Sequence, residues 1–149
     1  MTEVDLTQAE ADSLLAMPKV RENEAIHLFP VGGSGLIVPL VAADRNENFL
    51  LDVSRGRINL LKVKYQTRAR QVVVLARIDL NGAPHRNPDD SEVSCPHLHV
   101  YRQGYGDKWA LPAPTANFPN TGDLWLTLLD FMQFCNITKP PHFERGLLV

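Results

Sequence analysis

The sequence predicts an α+β fold, in which a curved antiparallel sheet of about five to six strands is flanked by a short N-terminal helix and a longer C-terminal helix. Two patterns lead to this prediction. Apolar residues recur at helical spacing near each end of the chain, and short apolar runs between turn-forming segments fill the middle. The 149 residues, 44% hydrophobic and 21% charged, have the size and composition of one globular domain, expected to span residues 1–149.

The first helix is predicted from a capping box. Thr7 is followed three residues later by Glu10, the spacing at which each side chain bonds the other residue's backbone N–H. Pro18 ends the pattern, because proline cannot continue a helix. The apolar positions of the predicted helix are Ala11, Leu14, Leu15 and Met17.

The next segments predict antiparallel strands. The runs “AIHLFPV” and “LIVPLVAAD” are separated by “GGSG”, which predicts a hairpin, and “FLLDV” and “INLLKVKYQT” each follow turn-forming residues. In “QVVVLARIDL”, strand alternation places Arg77 and Asp79 on the face opposite the core. The predicted core face of this strand consists of Val72, Val74, Ala76, Ile78 and Leu80.

A shorter strand, “HLHVYRQ”, carries the possible chemistry. Alternation places His97, His99 and Tyr101 on one face, with Leu98 and Val100 on the other. If the two aliphatic residues face the core, the histidines lie on a solvent-accessible face, shared with Arg77 and Asp79.

The last third of the chain is predicted to be a loop followed by the second helix. Residues 103–120 are rich in Gly and Pro, with a short strand expected at Trp109–Leu111. Thr121 or Asp123 is placed to cap the helix, and we expect Leu147 and Leu148 in the tail to pack on the core. The apolar face of this helix is predicted to contain Leu124, Leu128, Phe131, Met132 and Cys135.

The sequence lacks the features of membrane-spanning, secreted and nucleotide-binding proteins. No apolar run approaches the roughly eighteen residues of a membrane span, and the N-terminus is acidic, so we expect a cytoplasmic protein without membrane contact. Cys95 and Cys135 are then expected to be thiols. The “GGSG” at residues 32–35 lacks the Lys-Ser/Thr of a phosphate-binding loop. We therefore expect no nucleotide site and no cofactor.

Charge is distributed unevenly along the chain. The span from Arg55 to Arg86 contains eight basic residues and one acidic residue, so it carries a charge of +7 within a chain of net charge −2. Such a span predicts a face that contacts an anionic partner such as RNA, or alternatively a solvated strand edge that discourages aggregation. The candidate nucleic-acid-binding residues are Arg55, Arg57, Lys62, Lys64, Arg68 and Arg70.

Three interpretations of the histidine-rich segment remain open. His97 and His99 project to one side, about 6–7 Å apart at the backbone, and could bind a metal ion with His85, Asp79 or Cys95 as a third ligand. In the second interpretation, the histidines act as general acid and base without a metal. In the third, they hydrogen-bond the long acidic loop to the sheet, and have no catalytic role.

The metal-free interpretation suits RNA cleavage by the RNA's own 2′-hydroxyl, since that reaction needs a base, an acid and a cation at the phosphate. We expect no metal in this case, and we predict that the protein, if it is an enzyme, is a metal-independent ribonuclease. The candidate catalytic residues are Arg77, Asp79, His85, His97, His99 and Tyr101.

Two resemblances involve the same residues. “LARIDLNGAPHRNPDD”, “CPHLHVYRQGYGDKWALP” and “DFMQFCNI” resemble an uncharacterised family of small proteins found in bacteria, prophages and mobile elements. “RIDLNGAPH” and “PHLH” are also similar to the motif of TumE-type toxins from toxin–antitoxin pairs, although this chain has an extra residue in “DLNGAPH” and a longer acidic loop. The second resemblance implies functional roles for Arg77, Asp79, Asn81, His85, His97 and His99.

These observations lead to two functional hypotheses. The first is a toxin-like or mobile-element domain that binds or processes RNA, with RNA and a cognate antitoxin as partners. The second is a phage or prophage protein without catalytic activity that binds and inhibits a host protein. In the second case, aromatic residues are expected to anchor the contact. The candidate anchors are Tyr101, Tyr105, Trp109 and Phe118.

Overall fold

The computed structural model describes residues 5–146, with helices near both ends of this range. Helix α1 spans Gln8–Ala16, and the predicted capping box is present. The Thr7 hydroxyl accepts a hydrogen bond from the Glu10 backbone N–H (3.1 Å), and the Glu10 carboxylate accepts one from the Thr7 backbone N–H (3.2 Å). Helix α2 spans Leu124–Phe134, and the Asp123 side chain caps it by accepting from the Leu126 N–H.

Most of the chain between and beyond the helices is β-structure. The strands of the described residues are β1 (Lys19–Arg21), β2 (Ile26–Leu28), β3 (Gly35–Ala42), β4 (Asn48–Arg55), β5 (Val63–Ala69), β6 (Val73–Leu80), β7 (His85–Arg86), β8 (Glu92–Val93), β9 (His97–Val100), β10 (Ala110–Pro112), β11 (Ile137–Lys139) and β12 (His142–Glu144).

The main sheet has eight strands in the order β10-β9-β6-β5-β4-β3-β1-β11. It is mostly antiparallel, as predicted, and β1 and β11 form a parallel pair. The predicted number of five to six strands is wrong, and the sheet is not strongly curled. The edge strand β10 lies where a short strand was expected at Trp109–Leu111. Strands β1 and β11, at the other edge, contain only three residues each, which is too short to show a period of two in the sequence.

The predicted hairpin around “GGSG” is also wrong. Strand β2 pairs in parallel with β12, and β3 pairs with β1 and β4. Ile26 and Leu28 are 66% and 54% exposed, whereas Phe29, which follows β2 in the same apolar run, is buried in the core against Tyr65. An apolar run identifies a strand more reliably than it identifies the partner of that strand.

Both helices pack on one face of the main sheet. Tyr65 on β5 donates a hydrogen bond from its hydroxyl to the Leu124 carbonyl (2.7 Å), and its ring lies 6.3 Å from that of Phe131 in α2. Burial raises the pKa of Tyr65, so this hydroxyl stays protonated. Ala11 and Leu14 of α1 join the same core. The opposite face of the sheet carries no helix from the described residues.

A β-bulge in β6 changes which residues face the core. Arg68 pairs with Val74 and Thr67 pairs with Ala76, so Leu75 is an extra residue in the ladder. Alternation is therefore interrupted at Leu75. Val72, predicted to face the core, is 63% exposed. Ala76, Ile78 and Leu80, which follow the bulge, are buried as predicted.

None of the helices in the described part of the chain has the length and hydropathy needed to span a membrane.

The expected packing of Leu147 and Leu148 lies outside the described residues.

Candidate active site on the open sheet face

Strand register builds a polar surface on the helix-free side of the sheet. In one row across the strands, Ser54 pairs with Lys64, Lys64 with Asp79, and Asp79 with His97. The adjacent row follows the same strands and contains Asp52, Gln66, Arg77 and His99. We call this helix-free surface the open face. It is formed by Asp52, Ser54, Lys64, Gln66, Arg68, Arg77, Asp79, His97 and His99.

Two histidines and an aspartate converge at the β6–β9 end of the open face. His97 Nε2 lies 2.9 Å from Asp79 Oδ2, and His99 Nε2 lies 3.5 Å from the same oxygen. The predicted grouping of these side chains with Arg77 is therefore confirmed. The predicted solvent exposure is wrong, because His97 is 2% exposed and His99 is fully buried.

The cover comes from segments distant in sequence. His85, on the β7–β8 hairpin, places its ring 4.6 Å from that of His99 and 5.9 Å from that of His97. Its Nε2 is 2.7 Å from the Lys108 backbone carbonyl, which ties the hairpin to the segment before β10. His85 is half-buried and is thus the most accessible of these three rings.

The hydrogen bonds of His99 define its tautomer. Nδ1 is 2.7 Å from the Asp107 backbone carbonyl, which only accepts, so Nδ1 carries the hydrogen. Nε2 then accepts a hydrogen bond from Arg77 Nη2 at 3.0 Å. His99 thus presents the Nε2 lone pair toward Asp79 and Arg77.

Arg77 connects the cluster to a second carboxylate. Its Nε donates to Asp79 Oδ1 (3.1 Å) and its Nη1 donates to Asp107 Oδ2 (2.9 Å). Burial alone would raise the pKa of Asp79, but the contacts with His99 and His97 and the charge of Arg77 hold that pKa below its usual range. Asp79 is therefore a carboxylate at neutral pH.

His97 lies between Asp79 and a thiol. Its Nδ1 is 3.5 Å from Cys95 Sγ, on the side opposite the contact with Asp79. Burial lowers the pKa of His97 further than the Asp79 carboxylate raises it, so the ring is neutral at pH 7. Sequence reasoning considered Cys95 only as a metal ligand, and it missed Asp107 altogether because nothing in the loop sequence indicates its contact with Arg77.

Tyr101 and Asn81 have other partners. Tyr101 is in the hydrophobic core, and its hydroxyl is 2.8 Å from both the backbone N and the carbonyl O of Leu6. The predicted grouping of Tyr101 with the histidines fails because β9 ends at Val100. Asn81 adopts a positive φ of 57° in the turn after β6, and its amide donates to the Leu61 carbonyl (2.9 Å).

The basic span does not form one continuous surface. Arg55 is buried, donates to the Leu60 carbonyl and lies over the Phe29 ring, so a direct contact of its guanidinium with RNA is contradicted. Arg68 forms a bidentate ion pair with Asp52 on the open face.

The remaining basic candidates are exposed. Arg70 lies at the turn after β5, where it pairs with Glu47 at 3.5 Å. Arg57, Lys62 and Lys64 form no salt bridge with any residue that the structure describes.

Two depressions border these lysines. A groove of about 560 Å³ on the open face is lined by Ser54, Lys64, Gln66 and Arg77, among others. A smaller cleft of about 110 Å³ lies beside Asp79, with Lys62 and Lys64 on its wall. Asp79 thus lines the same cleft as two cationic side chains.

A family model described as a family of unknown function (DUF6978) matches residues 6–137, which is most of the chain. No curated protein and no solved structure matches the chain.

Proposed function

We propose that this chain, which belongs to DUF6978, a family of unknown function, is an RNA-binding and RNA-processing domain. Its biological setting would be a toxin–antitoxin pair or a mobile element, with a cognate antitoxin as a partner. The observation that supports the proposal is the register of β5, β6 and β9. It places Lys64, Arg77, Asp79, His97 and His99 side by side on one face.

RNA binding in this proposal depends on Lys62 and Lys64. Both lysines are exposed and line the cleft beside Asp79, where they can contact phosphates of a strand that lies along the open face. Arg68 contributes less net charge, because Asp52 neutralises it at 2.6 Å.

Cleavage would proceed by attack of a 2′-hydroxyl on the adjacent phosphate, which forms the 2′-O–P bond of a cyclic phosphate and breaks the P–O5′ bond. His99 would take the proton of the 2′-hydroxyl, and His85 would give a proton to the departing 5′-oxygen. His99 Nε2 has the lone pair required of a base, and Arg77 supplies a cation beside it. His97 and Asp79 hold each other in place. Because His97 and His99 are buried, RNA first meets the half-buried His85, and the β7–β8 hairpin must move before His99 can contact RNA.

The second hypothesis, inhibition of a host protein, has less structural support. Two of its four predicted anchors, Tyr101 and Phe118, are buried at 5% and 2% exposure and so are inaccessible to a partner. Trp109 is half-buried, with Arg102 over its ring at 4.3 Å. Tyr105 remains as an exposed aromatic residue, 5.8 Å from Trp109 between ring centroids.

The proposal is tested with untagged protein and labelled single-stranded RNA in buffer containing EDTA. We expect products that end in a 2′,3′-cyclic phosphate, and no cleavage where the 2′-hydroxyl is replaced by hydrogen. Lys64→Glu should weaken binding and lower the slope of log K against log salt by about 0.7. Lys139→Glu, on the edge strand β11, makes the same charge change away from the site and should leave both unchanged.

Absence of RNA binding at low salt would overturn the proposal and favour the protein inhibitor. If the protein binds RNA but cleaves none of the RNA sequences tested, its function is RNA binding without processing. Equal loss of binding in Lys64→Glu and Lys139→Glu would show that the attraction is nonspecific and that the open face has no special role.

A further inference from the structure

We propose that Asp79, His97 and His99 bind a transition-metal ion of the zinc type, and that the metal-bound protein is an inhibited form of the RNA-processing centre. Metal binding is argued from the geometry alone. Its inhibitory effect rests on the proposed function, and metal titrations measured separately from RNA cleavage distinguish the two.

Three potential ligand atoms converge on one point. Asp79 Oδ2 is 2.9 Å from His97 Nε2 and 3.5 Å from His99 Nε2, and the ligand atoms of the three residues all lie within 4.8 Å of one another. Ligands around a tetrahedral zinc ion, at Zn–N distances near 2.0–2.1 Å, are roughly 3.3 Å apart. Small side-chain rotations therefore suffice to admit an ion.

The outer contacts hold each ligand in a suitable orientation. His99 donates from Nδ1 to the Asp107 carbonyl (2.7 Å), which leaves the Nε2 lone pair for a metal. His97 differs, because its Nε2 donates to the Asp79 carboxylate (2.9 Å) and must lose that hydrogen to bind an ion; the ring can then donate from Nδ1 to Cys95 Sγ (3.5 Å). Histidine ligands in metal sites are usually oriented by such second hydrogen bonds.

The backbone supports the same arrangement. Asp79 and His97 are direct partners in the β6–β9 ladder, and His99 is two residues further along the same strand. All three side chains are buried, which restricts competing water and fixes their positions. Ligands on paired strands are more precisely placed than ligands on loops.

The local charge accommodates a divalent cation. Asp79 and Asp107 carry two negative charges against the single positive charge of Arg77, so the group is anionic when the imidazoles are neutral. On metal binding, Arg77 would give up its contact with His99 Nε2 (3.0 Å) and keep Asp107 Oδ2 (2.9 Å). Zinc and imidazole nitrogen are well matched, as are zinc and carboxylate oxygen.

Inhibition follows from the identity of the occupied atoms. The ion would bind His99 Nε2, the atom that the proposed cleavage uses as a base, and it would also hold His97 Nε2. With the ion bound, His99 could not accept a proton at Nε2. Removal of the ion by a chelator would restore the base.

Binding is tested by titrating untagged protein with Co²⁺, whose visible absorption reports its ligands, and then with Zn²⁺ as a competitor. We expect one ion per chain, and a rise in melting temperature with Zn²⁺. Asp79→Asn, His97→Gln and His99→Gln should each weaken binding by more than about 100-fold. His142→Gln, which changes an exposed histidine paired with Glu24, should leave binding unchanged.

Circular dichroism identifies any variant that has lost its fold. The Co²⁺ spectrum and the Zn²⁺-dependent melting of the wild type test the site even if a variant does not fold. Absence of Co²⁺ and Zn²⁺ binding by the wild type overturns the inference, as does unchanged binding in folded His97→Gln and His99→Gln. RNA cleavage that resists Zn²⁺ while the site is filled overturns the inhibitory role. Zinc binding without any RNA cleavage supports the metal site and removes the proposed function instead.

Discussion

His97 Nε2 lies 2.9 Å from Asp79 Oδ2, and the two residues are paired directly in the β6–β9 ladder. The contact couples the candidate site to the sheet itself, because neither side chain can change without disturbing a buried, charged contact. His97 and His99 therefore contribute to stability as well as to any chemistry. Loss of activity in a variant of either histidine is informative only when the fold is measured in the same sample.

Asp79→Asn should lower the free energy of unfolding by about 3 kcal/mol, since it removes the charged partner of Arg77 inside the cluster. Urea unfolding at pH 7 measures this. Glu92→Gln is the matched control, because the exposed Glu92 lies 3.7 Å from Arg86 and its loss should cost less than about 0.5 kcal/mol. Equal effects of the two substitutions would contradict the assignment of Asp79 to a buried network.

Lys19→Met should destabilise the protein by about 2–3 kcal/mol at pH 7. The Lys19 ammonium is buried and donates hydrogen bonds to the carbonyls of Leu15, Met17 and Cys135, at 2.8, 3.0 and 2.8 Å. Methionine preserves much of the volume but leaves these carbonyls without that donor. Chemical denaturation monitored by tryptophan fluorescence gives the difference, and a change below about 0.5 kcal/mol would contradict this role of Lys19.

The same pair of proteins predicts a pH dependence. Burial lowers the pKa of Lys19 to about 8, below its usual value near 10.4. Between these values the unfolded chain binds more protons than the folded chain, so the stability of the wild type relative to Lys19→Met should rise from about pH 8 to pH 10. Unfolding curves across this range test the sign, and a difference that stays constant or falls would contradict it.

The fold could be predicted where local signals determine it. The capping box at Thr7, the Asp123 cap and the long strands of the central meander all appear in the structure. Of the three-residue strands at the sheet edges, β10 lies where a short strand was predicted at Trp109–Leu111, but β11 and the pairing of β2 with β12 could not be predicted, because they depend on contacts between distant segments. The bulge at Leu75 could not be predicted either, because the sequence of β6 gives no sign that the alternation of its side chains is interrupted there.

The sequence predicted which side chains share the site, but it did not predict that they are buried. Alternation in “HLHV” correctly grouped His97 and His99 with Arg77 and Asp79 across the ladder. Their burial could not be read from the strand, because the covering groups belong to His85 and the Asp107–Lys108 segment. Charge counting failed for Arg55 for a related reason, since net charge says nothing about which guanidinium is buried.

Tyr101→Phe should cost about 1–2 kcal/mol of stability and leave RNA cleavage unchanged. The Tyr101 hydroxyl is 2.8 Å from the Leu6 backbone N and O, so its removal leaves buried backbone groups without this partner. Tyr105→Phe, at a residue 44% exposed, is the control and should change stability by less than about 0.5 kcal/mol. A folded Tyr101→Phe protein that binds RNA and has lost cleavage would restore Tyr101 to the catalytic set.

His85→Gln offers the clearest separation of chemistry from stability. His85 is half-buried, and it contacts the rings of His97 and His99 and the Lys108 carbonyl, so we expect a cost below about 1 kcal/mol. Glutamine retains an N–H for that carbonyl but does not titrate near neutrality. If His85 contacts the scissile phosphate, His85→Gln should reduce the cleavage rate by 10²-fold or more while RNA affinity and melting temperature stay near wild type.

His97→Gln is the comparison for His85→Gln. Its side chain is buried against Asp79, so we expect a fall in melting temperature together with the loss of cleavage. Single-turnover cleavage, RNA affinity and thermal unfolding should be measured for both variants from the same preparations. Full cleavage by folded His85→Gln would remove that residue from the site and leave it as a cover for His99. A drop in melting temperature for His85→Gln as large as that for His97→Gln would instead make the β7–β8 hairpin a structural support for the sheet, because the half-buried ring makes too few contacts to account for such a drop.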